Sequence, residues 1–168
     1  MDTDVAPLAQ LQRAHSYVRA DFEREFDHLQ RKVWAMLTEP GRLAQWLAPG
    51  EIEPYRGGQA RLDFADSGIV IDSEVTAYEA PRLLEYSWSA PGQPKRPMRW
   101  TVTPQGEGCR LALSLFVPQD EDVARSCAGF EAHLDMLAAA LEDVPIRFPF
   151  ERFKAAREGY GRCLAAQP

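Results

Sequence analysis

The histidines are the residues of this chain best suited to acid–base or metal chemistry. His15, His28 and His133 lie far apart in the sequence and none belongs to an H-x-x-x-H motif, so we expect no metal site. His133 follows Phe130 by three residues on a predicted helix and borders the apolar stripe of that helix. Such a histidine could bind a ligand oxygen or act as a general base. A histidine on the helix flank, half in solvent, is the preferred interpretation.

A pair of carboxylates is the other candidate for acid–base chemistry. Asp72 and Glu74 lie two residues apart in the strand-like segment "IVIDSEV", which would place them on one face. Ile71 and Val75 have the opposite parity, and we therefore expect both carboxylates to face solvent. The chain contains no G-x-S-x-G motif, and the glycine pair in "YRGGQ" is too short to cradle a phosphate. The sequence predicts no catalytic residue and no cofactor.

Cysteine usage and composition indicate a cytoplasmic protein of one domain. Cys109, Cys127 and Cys163 are odd in number and form no C-x-x-C pair, which argues against disulfides and zinc. The segment "MDTDVAPLAQ" lacks the apolar region of a signal peptide, and no apolar run is long enough for membrane insertion. The 168 residues suffice for a core, and the net charge of -6 opposes a nucleic-acid-binding surface.

The first fifty residues predict an arm, one strand and two short helices. Residues 1–15 have no clear pattern beyond one helical turn at most, and we expect a loose arm. The segment "YVRADFEREF" alternates between apolar and polar residues, as a half-buried strand does. The segment "DHLQRKVWAMLT" has a helical period with Asp27 as its expected N-cap. A second helix, "GRLAQWL", follows with Pro40 near its start.

Six strand-like segments between residues 51 and 117 are separated by short turns, which predicts an antiparallel meander. Their apolar and aromatic residues share one parity, so one face of the sheet needs a cover. A long helix after residue 120 supplies this cover with a single apolar stripe. The stripe consists of Phe130, Leu134, Leu137 and Leu141. A further helix, weakened by two glycines, is predicted near the C-terminus.

Motifs in a fixed order carry a family resemblance. The segment "REFDHLQRKVWAMLTEPGRLAQWLAP" contains a Val-Trp pair, a Leu-Thr-x-Pro turn and the closing Trp46. Later, "APRLLEYSW" ends in Trp88, and "GFEAHLDMLAAAL" has Phe130 where the family usually has tryptophan. Over residues 16–142 this order resembles the START-like SRPBCC superfamily. Within it, the chain is similar to the C-terminal domain of the activator of the heat-shock chaperone ATPase.

The resemblance implies an α+β helix-grip fold, in which a curved antiparallel β-sheet wraps around a long C-terminal α-helix and two short helices follow the first strand. The domain would span residues 16–142, between an N-terminal arm (1–15) and a helical C-terminal extension (143–168) of the same unit. Such a fold encloses a cavity between sheet and helix. The residues expected to line it are Trp46, Phe64, Tyr86, Trp88, Met98, Trp100, Phe116, Phe130, His133, Leu134 and Leu137. Tyr86, Trp100, Arg99 and His133 would be its polar groups.

The leading hypothesis is the binding of a small apolar or amphipathic ligand in this cavity, without a cofactor. One alternative is an enzyme of the cyclase or hydrolase type with His133 as general base. Another is a protein-interaction module, either a homodimer or a chaperone partner, that uses the aromatic segment "FPFERFKAAREGY". Packing of this segment on its own domain is slightly preferred. Neither a nucleic acid nor a membrane is expected as a partner.

Overall fold

The computed structural model describes residues 8–64 and 67–166, which form one antiparallel sheet with helices packed on it. The remaining residues of the predicted arm, of the turn after "RLDF" and of the C-terminus lie outside the described residues. The strands are β1 (Gln10–Ala14), β2 (Tyr17–Phe26), β3 (Gly50–Ile52), β4 (Gln59–Phe64), β5 (Ile69–Glu79), β6 (Leu83–Ser87), β7 (Pro97–Gln105) and β8 (Gly108–Pro118). The helices are α1 (Gln30–Thr38), α2 (Pro40–Trp46), α3 (Val123–Leu141) and α4 (Phe150–Ala166).

The sheet confirms the predicted meander. Its order is β1-β2-β8-β7-β6-β5-β4-β3, and all neighbours are antiparallel. The strands β3 to β8 follow one another directly in the sheet, β2 pairs with β8, and β1 forms the edge beyond β2. The α+β helix-grip prediction is therefore confirmed, because an open curved sheet packs on the long helix α3.

Two local predictions are wrong. Residues 10–14 form β1, which pairs along β2 from Gln10↔Asp21 to Ala14↔Tyr17, whereas a loose arm is expected from the sequence. Helix α1 begins at Gln30 after Leu29, and no side chain caps it, so Asp27 is not its N-cap.

Helix α3 covers the apolar face of the sheet. Its N-cap is Asp122, whose carboxylate accepts a hydrogen bond from the Arg125 N–H at 3.1 Å, and this bond lowers the pKa of Asp122. The predicted stripe is confirmed, because each of its four side chains is at most 4% exposed. Burial of such side chains supplies most of the free energy that holds α3 to the sheet.

The C-terminal extension ends in α4, which packs on α3 through a buried polar cluster that we call the polar anchor: Arg24, Glu131, Arg152 and Tyr160. The Glu131 carboxylate is fully buried and accepts hydrogen bonds from the Tyr160 hydroxyl, from Arg24 and from Arg152, the last at 3.1 Å. The Tyr160 oxygen also accepts from the Ala9 N–H at 2.8 Å. Burial and the adjacent carboxylate raise the pKa of Tyr160, so the hydroxyl stays protonated.

Among the described residues, no helix combines the length and the apolar character needed to cross a membrane.

Candidate functional site

Six of the predicted ligand-contacting residues lie deep between the sheet and α3. They are Trp46, Tyr86, Met98, Trp100, Leu134 and Leu137, each at most 1% exposed. The Trp46 indole donates a hydrogen bond to the Met36 carbonyl at 2.7 Å, and its ring meets the Trp100 ring edge to face at 5.9 Å. Burial raises the pKa of the Tyr86 hydroxyl, and the Trp100 indole opposes this shift. These interactions show what stabilises this part of the core.

Four further predicted residues, joined by one that was not predicted, form a chain of aromatic rings at the edge of the sheet–α3 interface. We call this group the rim cluster, and its members are Phe64, Trp88, Phe130, His133 and Phe148. Ring centroids are 5.7 Å apart for Phe64 and Trp88 and 5.1 Å apart for Trp88 and Phe130. His133 lies 6.0 Å from Phe64 and 5.5 Å from Phe148. Only Phe130 is fully buried, so this cluster faces both the core and solvent.

Local structure explains how these rings meet. Phe130 and His133 are three residues apart on α3, which places them on the same side of the helix. Phe64 is the last residue of β4, and Trp88 directly follows β6. The ends of these strands thus approach the middle of α3, where Phe148 also arrives from the segment between α3 and α4.

His133 is the polar member of the rim cluster. Its Nδ1 lies 2.9 Å from the Trp46 carbonyl oxygen, and because a carbonyl can only accept, Nδ1 must carry a proton. Burial lowers the pKa of His133, although the hydrogen bond to Trp46 opposes this shift. The ring is therefore neutral at pH 7, and Nε2 presents a lone pair. Among the described residues, Nε2 has no hydrogen-bond partner.

The structure corrects two members of the predicted site. Phe116 lies on the opposite face of the sheet, with the Arg19 guanidinium 5.6 Å from its ring centroid, because residues alternate along β8 and Leu115 points inward. Arg99 lies on the same outer face and pairs with Glu85 at 2.9 Å, so it is not a polar group of the interior. The strand parity that predicts the core already assigns both residues outward.

The remaining chemical candidates do not converge on the rim cluster. Asp72 accepts a hydrogen bond from the Gln59 side-chain amide at 2.8 Å, and Glu74 is exposed, which agrees with the expected outward orientation of both carboxylates. Burial raises the pKa of the Cys109 thiol and raises that of Cys127 to about 12, so both are poor nucleophiles at neutral pH. In the described part of the chain, no three His, Cys, Asp or Glu side chains are grouped as metal ligands.

An open groove of about 470 Å³ lies elsewhere, beside the edge strand β3. Its walls come from the start of α2 and from β3 and β4, and they carry both carboxylates and a guanidinium. The lining residues are Pro40, Pro49, Gly50, Glu51, Glu53, Gln59, Arg61 and Asp63. Five of its eight lining residues are polar or charged, and the groove shares no lining residue with the rim cluster.

Phe148 is the rim-cluster residue that the sequence prediction of the site misses. It lies in "DVPIRFPF", where two prolines interrupt the helical pattern and leave an aromatic residue between them. That composition signals a turn segment, but which surface the segment contacts depends on its path between α3 and α4.

One protein family and several solved structures are similar to this chain. The model of the family described as "Activator of Hsp90 ATPase homolog 1-like protein" matches residues 27–142. None of the curated proteins searched matches the chain in sequence. The solution structure of CalU16 from Micromonospora echinospora is similar over 99% of both chains, with 17% identity and a TM-score of 0.78. EF2215 from Enterococcus faecalis, described as a conserved protein of unknown function, is similar over 94% of this chain and 90% of its own, with 19% identity and a TM-score of 0.78.

A third similar structure is DynU16, described as a putative protein in the dynemicin biosynthetic locus. It has 28% identity to this chain and a TM-score of 0.68, over 76% of this chain and 48% of DynU16. The chain thus spans about half the length of DynU16. The residues beyond 142, which form the end of the rim cluster and α4, lie outside the matched family region.

Proposed function

The chain belongs to the family of Activator of Hsp90 ATPase homolog 1-like proteins, within the START-like SRPBCC superfamily, and from this premise we propose that it binds a small apolar or amphipathic molecule between the sheet and α3. The rim cluster is the place where this molecule enters and makes its outer contacts. The deep residues Tyr86, Met98 and Trp100 form the floor beneath it.

The rim cluster is the observation that supports this proposal most strongly. Binding sites for small molecules combine apolar and aromatic walls with a few polar groups that orient the ligand. Phe64, Trp88 and Phe130 supply aromatic surface, and His133 supplies a neutral acceptor with no partner among the described residues. Because three of these four side chains are partly exposed, a ligand could reach them from solvent.

The similar protein DynU16 adds weaker support. It is a putative protein in a biosynthetic locus, and a small-molecule ligand for this chain agrees with that setting. Because the two chains share 28% identity, the ligand itself is not inferred from DynU16.

Native mass spectrometry of the freshly purified protein tests whether a ligand is bound. We expect a stoichiometric mass increment that is lost on denaturation, together with an apolar compound in the organic extract. A dimer mass without any increment would instead favour the alternative of an interaction module.

Titration with the apolar dye N-phenyl-1-naphthylamine locates the site. Trp88→Ala removes the ring between Phe64 and Phe130, and we expect it to weaken dye binding about tenfold, the loss of about 1.4 kcal/mol. Tyr55→Ala is the matched control, because Tyr55 is a 53% exposed aromatic residue outside the rim cluster. Equal affinity in Trp88→Ala, with an unchanged circular dichroism spectrum, would refute this location.

A further inference from the structure

The segment that joins α3 to α4 is attached to the protein differently from either helix. We call residues 143–149 the strap. It leaves α3 through Asp143, whose left-handed φ of 60° reverses the chain, and it contains Pro145 and Pro149. None of residues 145–148 makes a hydrogen bond within the part of the chain that the structure describes. Segments with so few interactions open at low free-energy cost.

Phe148, which lies two residues before the start of α4, holds the strap to the domain. The Phe148 ring packs 5.5 Å from the His133 ring and is only partly buried, whereas Val144 and Ile146 are 64% and 42% exposed. Phe148 also packs against Phe153 of α4, at 5.6 Å. The strap therefore places one of its own aromatic rings on the polar member of the rim cluster.

Helix α4 does not need to move when the strap does. The polar anchor fixes α4 through Glu131, which is fully buried and bonded to both Arg152 and Tyr160. The other end of the strap is fixed by the Val144 N–H, which bonds the Ala139 carbonyl of α3 at 3.0 Å. Displacement can thus be confined to the few residues around Phe148.

The ring beneath Phe148 has one unused polar atom. Because Nδ1 of His133 donates to the Trp46 carbonyl, its Nε2 can only accept a hydrogen bond while the ring is neutral. A ligand that donates a hydrogen bond to an acceptor in apolar surroundings binds more tightly. A ligand that covers this acceptor without donating a hydrogen bond binds less tightly.

We propose that the place now taken by the Phe148 ring is a subsite for an aromatic ring of the ligand, and that this ligand carries a hydroxyl or N–H group that donates a hydrogen bond to Nε2 of His133. This inference rests on the proposed function and names its ligand class as neutral hydroxylated or N–H-bearing aromatic compounds. Phe148 acts as an intramolecular competitor, which the ligand displaces together with the strap.

Two probes that differ in one donor test the ligand class. 2-Naphthol carries a hydroxyl donor, and 2-methoxynaphthalene has the same ring system without it. By isothermal titration calorimetry of the full chain, we expect 2-naphthol to bind about tenfold more tightly, as a hydrogen bond to an otherwise unpaired acceptor implies.

His133→Asn separates the acceptor from the structural bond. The Asn amide can still donate to the Trp46 carbonyl, but the variant lacks Nε2. We expect the ratio of the two affinities to fall to about one, because the loss of the imidazole ring affects both probes alike and the loss of Nε2 affects only 2-naphthol. A preference that survives in His133→Asn would overturn the assignment of Nε2.

Phe148→Ala tests the competition, with Val144→Ala as its control in the same strap, since Val144 is 64% exposed. We expect Phe148→Ala to bind both probes about three- to tenfold more tightly and Val144→Ala to match the wild type. Weaker or equal binding in Phe148→Ala, with an unchanged melting temperature, would overturn the competitor role. If wild type and all variants fail to bind either probe, the proposed function fails as well, whereas binding without these differences refutes this inference alone.

Discussion

Helix α3 contacts the polar anchor on one side and the rim cluster on another, and different forces hold the two contacts. In the polar anchor, the carboxylate of Glu131 is fully buried, and hydrogen bonds from β2 and α4 converge on it. In the rim cluster, partly exposed rings meet edge to face. Within residues 8–64 and 67–166, the one hydrogen bond made by a side chain of this cluster runs from His133 to the Trp46 carbonyl. The two contacts are only two residues apart on α3, because one is made by Glu131 and the other by His133.

The polar anchor and the rim cluster differ in how easily each contact can be broken. Removing one partner from a buried charged network leaves the others unpaired, so the polar anchor acts as a unit and fixes α4. A ring contact at the surface costs much less to break, because water can replace it. The rigid contacts of Glu131 and the weak contacts of Phe148 therefore suit a binding site in which the strap is displaced while α4 keeps its position.

The largest effect is expected when the polar anchor is broken. Glu131→Ala should lower the free energy of unfolding by about 3–5 kcal/mol, because Arg24, Arg152 and Tyr160 lose their shared acceptor. Urea denaturation measures this change. Glu142→Ala is the control, since that carboxylate is exposed and pairs with His28 at the surface, and it should change stability little. A loss below 1 kcal/mol in Glu131→Ala would mean that the two contacts do not differ as described.

A smaller effect is expected from Tyr160→Phe, which keeps the buried ring and removes the hydroxyl. The variant loses the donor to Glu131 and the acceptor for the Ala9 N–H, and we expect a loss of about 2 kcal/mol. Hydrogen exchange followed by mass spectrometry should show faster exchange in α4 but not in α1. Uniformly faster exchange in both helices would argue against a local role for the anchor.

The smallest effect concerns the protonation of His133. The unfolded chain has an ordinary histidine pKa of about 6.5, and burial lowers the pKa in the folded protein. The unfolded state therefore binds more protons below pH 6.5, so this contribution to stability is present above that pH and is lost as the pH falls. The stability of the wild type relative to His133→Asn should decrease between pH 7.5 and pH 5. A relative stability that increases over this interval would reverse the assigned sign.

Most of the fold is predictable because it follows from residue periodicity. Alternation in "YVRADFEREF" and the stripe from Phe130 to Leu141 predict β2 and α3, and the structure has both. Strand β1 is missed because "QLQRA" alternates weakly, and its strand conformation depends on pairing with β2. The start of α1 is missed because aspartate is a typical N-cap residue, which favours Asp27, whereas the helix begins after Leu29 without a side-chain cap.

The site is less predictable, because its contacts join distant segments. Helical spacing brings Phe130 and His133 together, and that part can be predicted from sequence. The position of Phe148 depends on the path of the strap. The burial of Glu131 depends on Arg24, which is 107 residues away, and on Tyr160, which is 29 residues away. A lone glutamate on a helix is normally expected to face solvent.

Solution NMR of the isotopically labelled protein with 2-naphthol shows which side chains the bound ring contacts, and it therefore decides whether the ligand binds at the rim cluster. We expect intermolecular nuclear Overhauser effects from naphthol protons to the rings of Trp88, Phe130 and His133, together with shifted signals in the strap. Saturable binding with contacts confined to the groove at Glu51 and Arg61, and unchanged signals in the rim cluster, would refute binding at the rim cluster.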